Sequence, residues 1–252
     1  MRYITPEAVM RRRFGNSPRP QWDAAVLCFR SHEGSRLVAQ TLGAEPLGTK
    51  VLWGMDEVPG YPLAHEFTLG KARVGLIARC LWGGPQTAIL VEELAHLGVR
   101  HLIGIGAAGS IAADLPRTTQ IVATSALTTD GTSRAYASET EVHVNPAIYA
   151  AVRQAERVHP WHLRPVRVAT IDAIYRETDT LIRALAERGA ETVNMEIAPL
   201  YAASAACGVE SVWIGHVSDC LVNRAWEPWD DLERMTAESA RIGLDVLNEL
   251  LH

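Results

Sequence analysis

No stretch of roughly 18 apolar residues in this chain is free of charge, so no membrane-spanning helix is expected. Cys-x-x-Cys pairs are missing too. The four cysteines, Cys28, Cys80, Cys207 and Cys220, are scattered, three of them within or beside apolar runs, and none joins a histidine at zinc spacing. That pattern predicts reduced thiols in a cytoplasmic protein, with no metal and no cofactor. A basic stripe is also lacking. The net charge is -5, which argues against nucleic acid as a partner. Arg11-Arg12-Arg13 has no apolar run behind it, so the arginines read as a solvated start of chain and no signal peptide is expected. There is no internal repeat, linker or low-complexity tract, which predicts a single domain over residues 24–252 behind an irregular lead-in at 1–23.

With 48% hydrophobic residues over 252 positions, the chain can bury a full core. Short apolar runs alternate with amphipathic ones. Ala24–Phe29 reads as a strand buried on both faces. After the polar turn Arg30–Gly34, Ser35–Leu42 reads as a helix stopped by Gly43. Residues 43–63 are rich in Gly and Pro and read as loop, with a short strand near Val51–Trp53. Val74–Cys80 is a strand feeding Gly83-Gly84-Pro85, and Gln86–Leu97 is an amphipathic helix closed by Gly98. A strand beginning at His101 leads into a glycine run. Strands follow at Gln120–Ser125 and Val166–Thr170, and helices at Pro146–Val158 and Thr178–Arg188. The last helix spans Trp229–Leu251, with Asp230 as N-cap and Glu233 as its capping-box partner. The alternation predicts an α/β fold in which helices flank a twisted mixed β-sheet, largely parallel.

One motif is a decoy. Gly104-x-Gly106-x-x-Gly109 follows a strand, and Asp130 lies at about the distance of a ribose-binding acid. A dinucleotide-binding turn must open a helix, however, and only Ser110–Leu115 separate the run from Pro116. The glycines instead signal close approach of the backbone by a ligand or another strand.

The stretch Thr192–Asp219 carries the strongest chemical signal. Two strands end in polar clusters, Asn194-Met195-Glu196 and Val217-Ser218-Asp219, joined by a small-residue helix. A carboxylate after a buried strand costs desolvation unless it is paired or used. Glu196 and Asp219 are therefore expected to face one pocket. The bland alternatives are a buried ion pair for Glu196 and a turn cap for Asp219, while Met195 alone would read as core.

The run from Gly83-Gly84-Pro85 to Gly98, followed by Gly104-Ile-Gly106-Ala107-Ala-Gly109, resembles the nucleoside phosphorylases of the uridine phosphorylase and hexameric purine nucleoside phosphorylase type. Met195-Glu196, Tyr201–Ala206 and Val217-Ser218-Asp219 resemble that family's sugar- and base-binding motifs, in the same order. Asp130-Gly-Thr-Ser133 and Thr170–Thr178 resemble a subgroup. The similarity runs from about Ala24 to the C-terminus. It implies cleavage of the N-ribosidic bond of a nucleoside, giving free base and ribose 1-phosphate, with inorganic phosphate as co-substrate. It also implies a homodimer or homohexamer whose subunits complete each other's pockets.

By that resemblance Glu196, with Asn194 and Met195, holds the ribose. Asp219 beside Ser218 serves the leaving base as acid, which favours a purine-like base, and Arg234 assists it unless it is an ordinary solvated helix residue. Arg176 lies where pyrimidine-specific relatives bind their base, although Arg176 and Glu177 could equally pair or cap the next helix. Trp226 and Trp229 border the site as a lid or a subunit contact. The phosphate side departs from the pattern. The family's Gly-Asp-Pro loop is replaced by Cys28–Gly34, leaving Arg30. Gly104 stands where a second phosphate arginine is usual, and Ala107, after Gly106, where Ser or Thr is usual. Arg79 or an arginine from a neighbouring subunit is the candidate replacement. These departures open two alternatives: hydrolysis, with Glu33 activating water, and non-catalytic nucleoside binding.

Overall fold

The computed structural model describes residues 2–17, 19–55, 58, 63–222, 225–228 and 232–252. In chain order the elements begin with α1 (Pro6–Phe14), β1 (Ala24–Cys28), α2 (His32–Leu42), β2 (Glu45–Pro46), β3 (Ala64–Leu69), β4 (Ala72–Ile77) and α3 (Gly84–His96). Then come β5 (His101–Ser110), β6 (Gln120–Leu127), β7 (Glu141–His143), α4 (Pro146–Val158), β8 (Arg164–Thr170) and α5 (Asp179–Glu187). The chain closes with β9 (Thr192–Asn194), α6 (Ile197–Cys207), β10 (Glu210–Cys220) and α7 (Leu232–Leu251).

These strands make one mixed sheet. β1 lies between β4 and β5, parallel to both, and β10 runs parallel to β5. β10 also pairs antiparallel with β6, β6 and β9 flank β8 in parallel, and β9 returns antiparallel to β5. The strands β5, β10, β6, β8 and β9 therefore close on one another. Closure leaves these five strands no free edge, whereas β2 and β7 each pair on one side only. Helices α2, α4 and α7 pack together on one side, and α1, α3 and α6 on the other. α6 is buried over most of its length, as a helix apolar on every face requires.

Local signals explain most boundaries. Ser31, Asn145 and Thr178 side chains accept backbone N–H groups at the starts of α2, α4 and α5. Gly43 and Gly208 end α2 and α6 in the left-handed region, at φ 63° and 69°.

Three expectations need correction. The lead-in is not irregular: Thr5 caps α1, Pro6 opens it, and Arg11–Arg13 lie in its last turn, where cations suit the helix dipole. Met10 and Trp22 join the main core. Residues 51–53 form no strand. Val51 and Leu52 are buried as loop, and a tight turn of 3₁₀ helix spans Trp53–Met55. The strand β3, read as loop up to residue 63 and unassigned beyond it, buries His65 and Phe67 in alternation. Trp229 and Asp230 lie outside the described residues.

The glycine run sits inside β5, and its close neighbour is an indole. A Cβ on Gly104 would fall 2.7 Å from Cδ1 of Trp213, and one on Gly106 would fall 3.0 Å from Cζ2. Across the pair, a Cβ on Gly215 would fall 2.4 Å from the Gly106 carbonyl oxygen. Trp213 is fully buried, so it cannot swing aside. Gly104→Ala is expected to destabilise the fold by about 1–3 kcal/mol through overpacking. Urea unfolding measures this. An unchanged midpoint would mean that the indole repacks freely.

Candidate active site

β9 ends at Asn194, and this side chain organises the start of α6. Its Oδ1 accepts the backbone N–H groups of Glu196 (2.6 Å) and Ile197 (2.8 Å), two donors that the helix itself leaves without acceptors. Thr170 Oγ1, at the end of the neighbouring β8, accepts the N–H of Ala198 at 2.9 Å. With its oxygen committed, Asn194 turns its amide nitrogen to Glu196 Oε2 at 2.7 Å and to the Ala107 carbonyl at 3.5 Å. Gly83, at φ 111°, donates its N–H to Glu196 Oε1 at 3.0 Å. Glu196 is 4% exposed. Burial pushes its carboxyl up to about 7, against hydrogen bonds from Gly83, Asn194 and the Met195 backbone, which favour the charged form. No cation pairs with it among the described residues, so the ion-pair alternative fails. Met195 next to it stays partly exposed.

Asp219 stands at the end of β10. The register with β5 shifts between Val217 and Asp219, and this irregularity brings Asp219 opposite Gly109. Gly109 pairs Val193, and Val193 pairs Ala169, so the ends of β10, β5, β9 and β8 lie in one row. Ser218 Oγ donates to Asp219 Oδ1 at 2.6 Å, and Trp226 Nε1 donates to Oδ2 at 3.1 Å. Trp226 remains 56% exposed and covers the acid from outside.

Other expected residues fall out differently. Gly106 has a packing reason, the Trp213 indole, while Ala107 presents its carbonyl to Asn194. An arginine at position 104 would collide with Trp213, so that phosphate ligand is excluded by packing. Arg30 is half-buried, and its Nε is buried without a partner. Glu33 lies at the surface on α2 and is held by Arg36, which keeps its carboxyl below the usual range and lowers its basicity. Arg234 lies exposed on the first turn of α7, 4.0 Å from Glu238. Arg79 has φ 52°, a left-handed conformation uncommon for arginine, and gives its N–H to Ser35 Oγ. Arg176 is exposed in a short 3₁₀ turn. It forms no ion pair with Glu177 among the described residues, and Thr178 takes the cap of α5.

Two functional candidates escaped the sequence reading. Glu177 is half-buried beside Asp219, without a protein hydrogen bond among the described residues. Burial, and then the Asp219 charge, push its carboxyl up to about 7. His216 is buried within β10, next to Arg30. Its signal was available as a lone histidine inside an apolar strand.

No cluster of metal-ligating side chains occurs among the described residues. No helix among them is long and apolar enough to cross a membrane. A separate cavity of about 300 Å³, lined by Leu47, Val51, Met55 and Ile77 among others, shares no residue with this site.

Known proteins supply the context. Uncharacterized protein R802 of Acanthamoeba polyphaga mimivirus is 29% identical over 151 residues, which cover 60% of this chain and 59% of that protein. The chain thus spans somewhat over half the length of that relative. The DeoD-type purine nucleoside phosphorylase of Bacillus cereus (strain ZK / E33L) is 28% identical over 167 residues, 65% of this chain and 71% of its own. In fold, futalosine hydrolase of Helicobacter pylori superposes with a TM-score of 0.71 at 18% identity, covering 91% of this chain and 98% of that one. Residues 34–251 match the sequence model of the Phosphorylase superfamily, and the chain belongs to that superfamily.

Proposed function

We propose that this protein cleaves the N-glycosidic bond of a nucleoside with a purine-like base, passing the ribose to inorganic phosphate. The observation that carries the reading is the pair of carboxyl groups at one end of the closed sheet. Glu196 is buried and oriented by Asn194 and Gly83, and Asp219 is held by Ser218 and Trp226. Glu196 accepts hydrogen bonds from the ribose hydroxyls, and these strengthen as the sugar gains oxocarbenium character. Met195 packs its thioether on the sugar. The C1′–N bond breaks with its electron pair going to the base, and Asp219 supplies a proton or a hydrogen bond to the base's ring nitrogen. A phosphate oxygen then bonds to C1′, giving ribose 1-phosphate. Arg30, a half-buried cation with no carboxylate partner among the described residues, is the residue offered to that anion.

A second reading is hydrolysis, with water giving free ribose. It is favoured by the Trp213 indole, which fills the space of the missing arginine at Gly104. We also infer a homo-oligomer in a reducing, cytoplasmic compartment. Its support is the resemblance and the four free cysteines, three of them buried.

The test is a nucleoside panel with and without phosphate, followed by identification of the sugar product. Ribose 1-phosphate formed only with phosphate is the expected result. Free ribose in its absence moves the assignment to hydrolysis. Binding without turnover across the panel would leave a nucleoside-binding protein.

A further inference from the structure

Arg30 follows the end of β1, two residues past the pair of Cys28 with Ile105. Ala107, two residues past Ile105 on β5, pairs His216. The two side chains therefore belong to the same end of three adjacent strands, close enough for the Arg30 charge to act on the His216 ring. His216 is 1% exposed, on the α7 side, with Nδ1 3.4 Å from Ser239 Oγ. The Ser239 hydroxyl has one proton and two acceptors for it, Gln120 Oε1 at 2.8 Å and the Met235 carbonyl at 3.0 Å. It therefore offers His216 a lone pair, which assigns the ring proton to Nδ1 and leaves a lone pair on Nε2. Nε2 is buried with no partner. Burial and the nearby Arg30 charge hold the ring neutral, down at about 3, so it acts as an acceptor and not as a second cation.

Arg30 supplies the complement. Its Nε is buried and also without a partner. No carboxylate pairs with the guanidinium among the described residues, since Glu33 is taken by Arg36. The neighbouring Cys28 thiol is pushed up by burial and stays neutral. Gly34 makes room for the side chain: a Cβ there would fall 2.8 Å from Arg30 Cβ. The cation thus lies against the first turn of α2, whose positive end adds to its pull on an anion. Two buried polar groups of opposite hydrogen-bonding sense, each unsatisfied, are costly unless a ligand-bound arrangement joins them.

We propose that His216 is a positioning residue for Arg30: its Nε2 receives the inner Nε–H of the guanidinium when an oxyanion engages the outer nitrogens. The subsite takes inorganic phosphate, the nucleophile of the proposed reaction, and the inference rests on that reading.

The measurement is the calorimetric Kd of the full chain for inorganic phosphate, without nucleoside. Wild-type protein binds it, and Arg30→Gln abolishes binding. His216→Leu weakens it roughly tenfold or more, the worth of a hydrogen bond to a charged group. His216→Gln, whose amide reaches the Nε2 position, restores it to within about threefold, while the shorter His216→Asn does not. The Asn and Gln variants decide the matter if the Leu variant does not fold. A merely structural role would lower unfolding midpoints and leave Kd alone, and that result overturns the proposal. So does equal binding by the Asn and Gln variants, or no binding by wild type. Turnover is scored separately: phosphate binding with water-only cleavage removes the phosphorolysis reading and leaves this one standing.

Discussion

Asp219→Ala is expected to lower kcat by a factor of about 100 to 10,000, the usual range for loss of a positioned acid. Nucleoside binding should suffer less, because the residues proposed to hold the sugar, Glu196, Asn194 and Met195, follow a different strand. The loss should also depend on the leaving group. A purine nucleoside methylated at N7 already carries positive charge on the base, so its base departs without a proton. The variant should cleave that substrate at close to the wild-type rate while failing on the unmethylated parent. Equal losses on both substrates would show that Asp219 only supports the fold or the base-binding wall. Asp219→Asn should fall between, since it keeps an acceptor for Ser218 or Trp226 but carries no charge. Stopped reactions with chromatographic product analysis suffice for all three comparisons.

The residues behind this expectation were legible in the sequence for a physical reason. Asn194-Met195-Glu196 and Ser218-Asp219 stand at the ends of apolar strands, where a charge needs a purpose. The alternation of strands and helices likewise pointed to the α/β sheet, and α4 appeared at its full extent, with Pro146 at its start. What stayed hidden depends on contacts between distant segments. The closing of β10 onto β6 has no local signature, because it joins segments far apart in sequence. Glu177 looked like a helix-start residue because nothing in Tyr175-Arg176-Glu177-Thr178 says that the carboxyl folds back beside Asp219. α1 was missed because it buries only Met10. The glycine run opens no helix and lies inside β5, yet its partner was out of sight: Trp213 lies over a hundred positions away in sequence.

The two halves of the site are consequently built in different ways. The side proposed to release the base rests on side chains whose hydrogen bonds are almost complete without a ligand. Asn194 uses both ends of its amide, and Asp219 has a donor on each oxygen. Such groups are held in place before substrate arrives, as electrostatic stabilisation of a developing charge requires. The side proposed for the nucleophile is the reverse. Arg30 Nε and His216 Nε2 have no partners, and the usual arginine position is closed by an indole. The unpartnered buried atoms of Arg30 and His216 are the groups left for an incoming anion, which is why the phosphate and water readings part at Arg30 and not at Asp219.

Glu196→Gln should reduce kcat/KM by roughly 100- to 1,000-fold, since a neutral amide gives less support to a sugar acquiring positive charge. The same variant should reveal the charge through stability. In the ligand-free protein the Glu196 carboxyl titrates at about 7, raised by burial from the ordinary 4.5. The folded state then holds a proton that the unfolded chain releases, so stability is greatest below the unfolded value. It falls as pH rises from 4.5 towards 7 and is flat above that window. The full span is on the order of 3 kcal/mol for such a shift. Glutamine cannot ionise and is spared this loss. Relative to wild type it should therefore gain stability between pH 5 and 8.5, whatever fixed cost it carries from facing an amide N–H toward Gly83 or Asn194. That cost is real, because Asn194 Oδ1 is bound to two backbone N–H groups and the amide cannot flip. Glu93 and Glu177, also raised to about 7 by burial, contribute the same slope to both proteins and cancel in the difference. Urea unfolding at the two pH values measures that difference. Parallel curves would mean that Glu196 ionises normally in the fold. Saturating nucleoside should shrink the gap if the ribose hydroxyls bind the charged carboxylate, because the ligand then returns the hydrogen bonds that burial had removed.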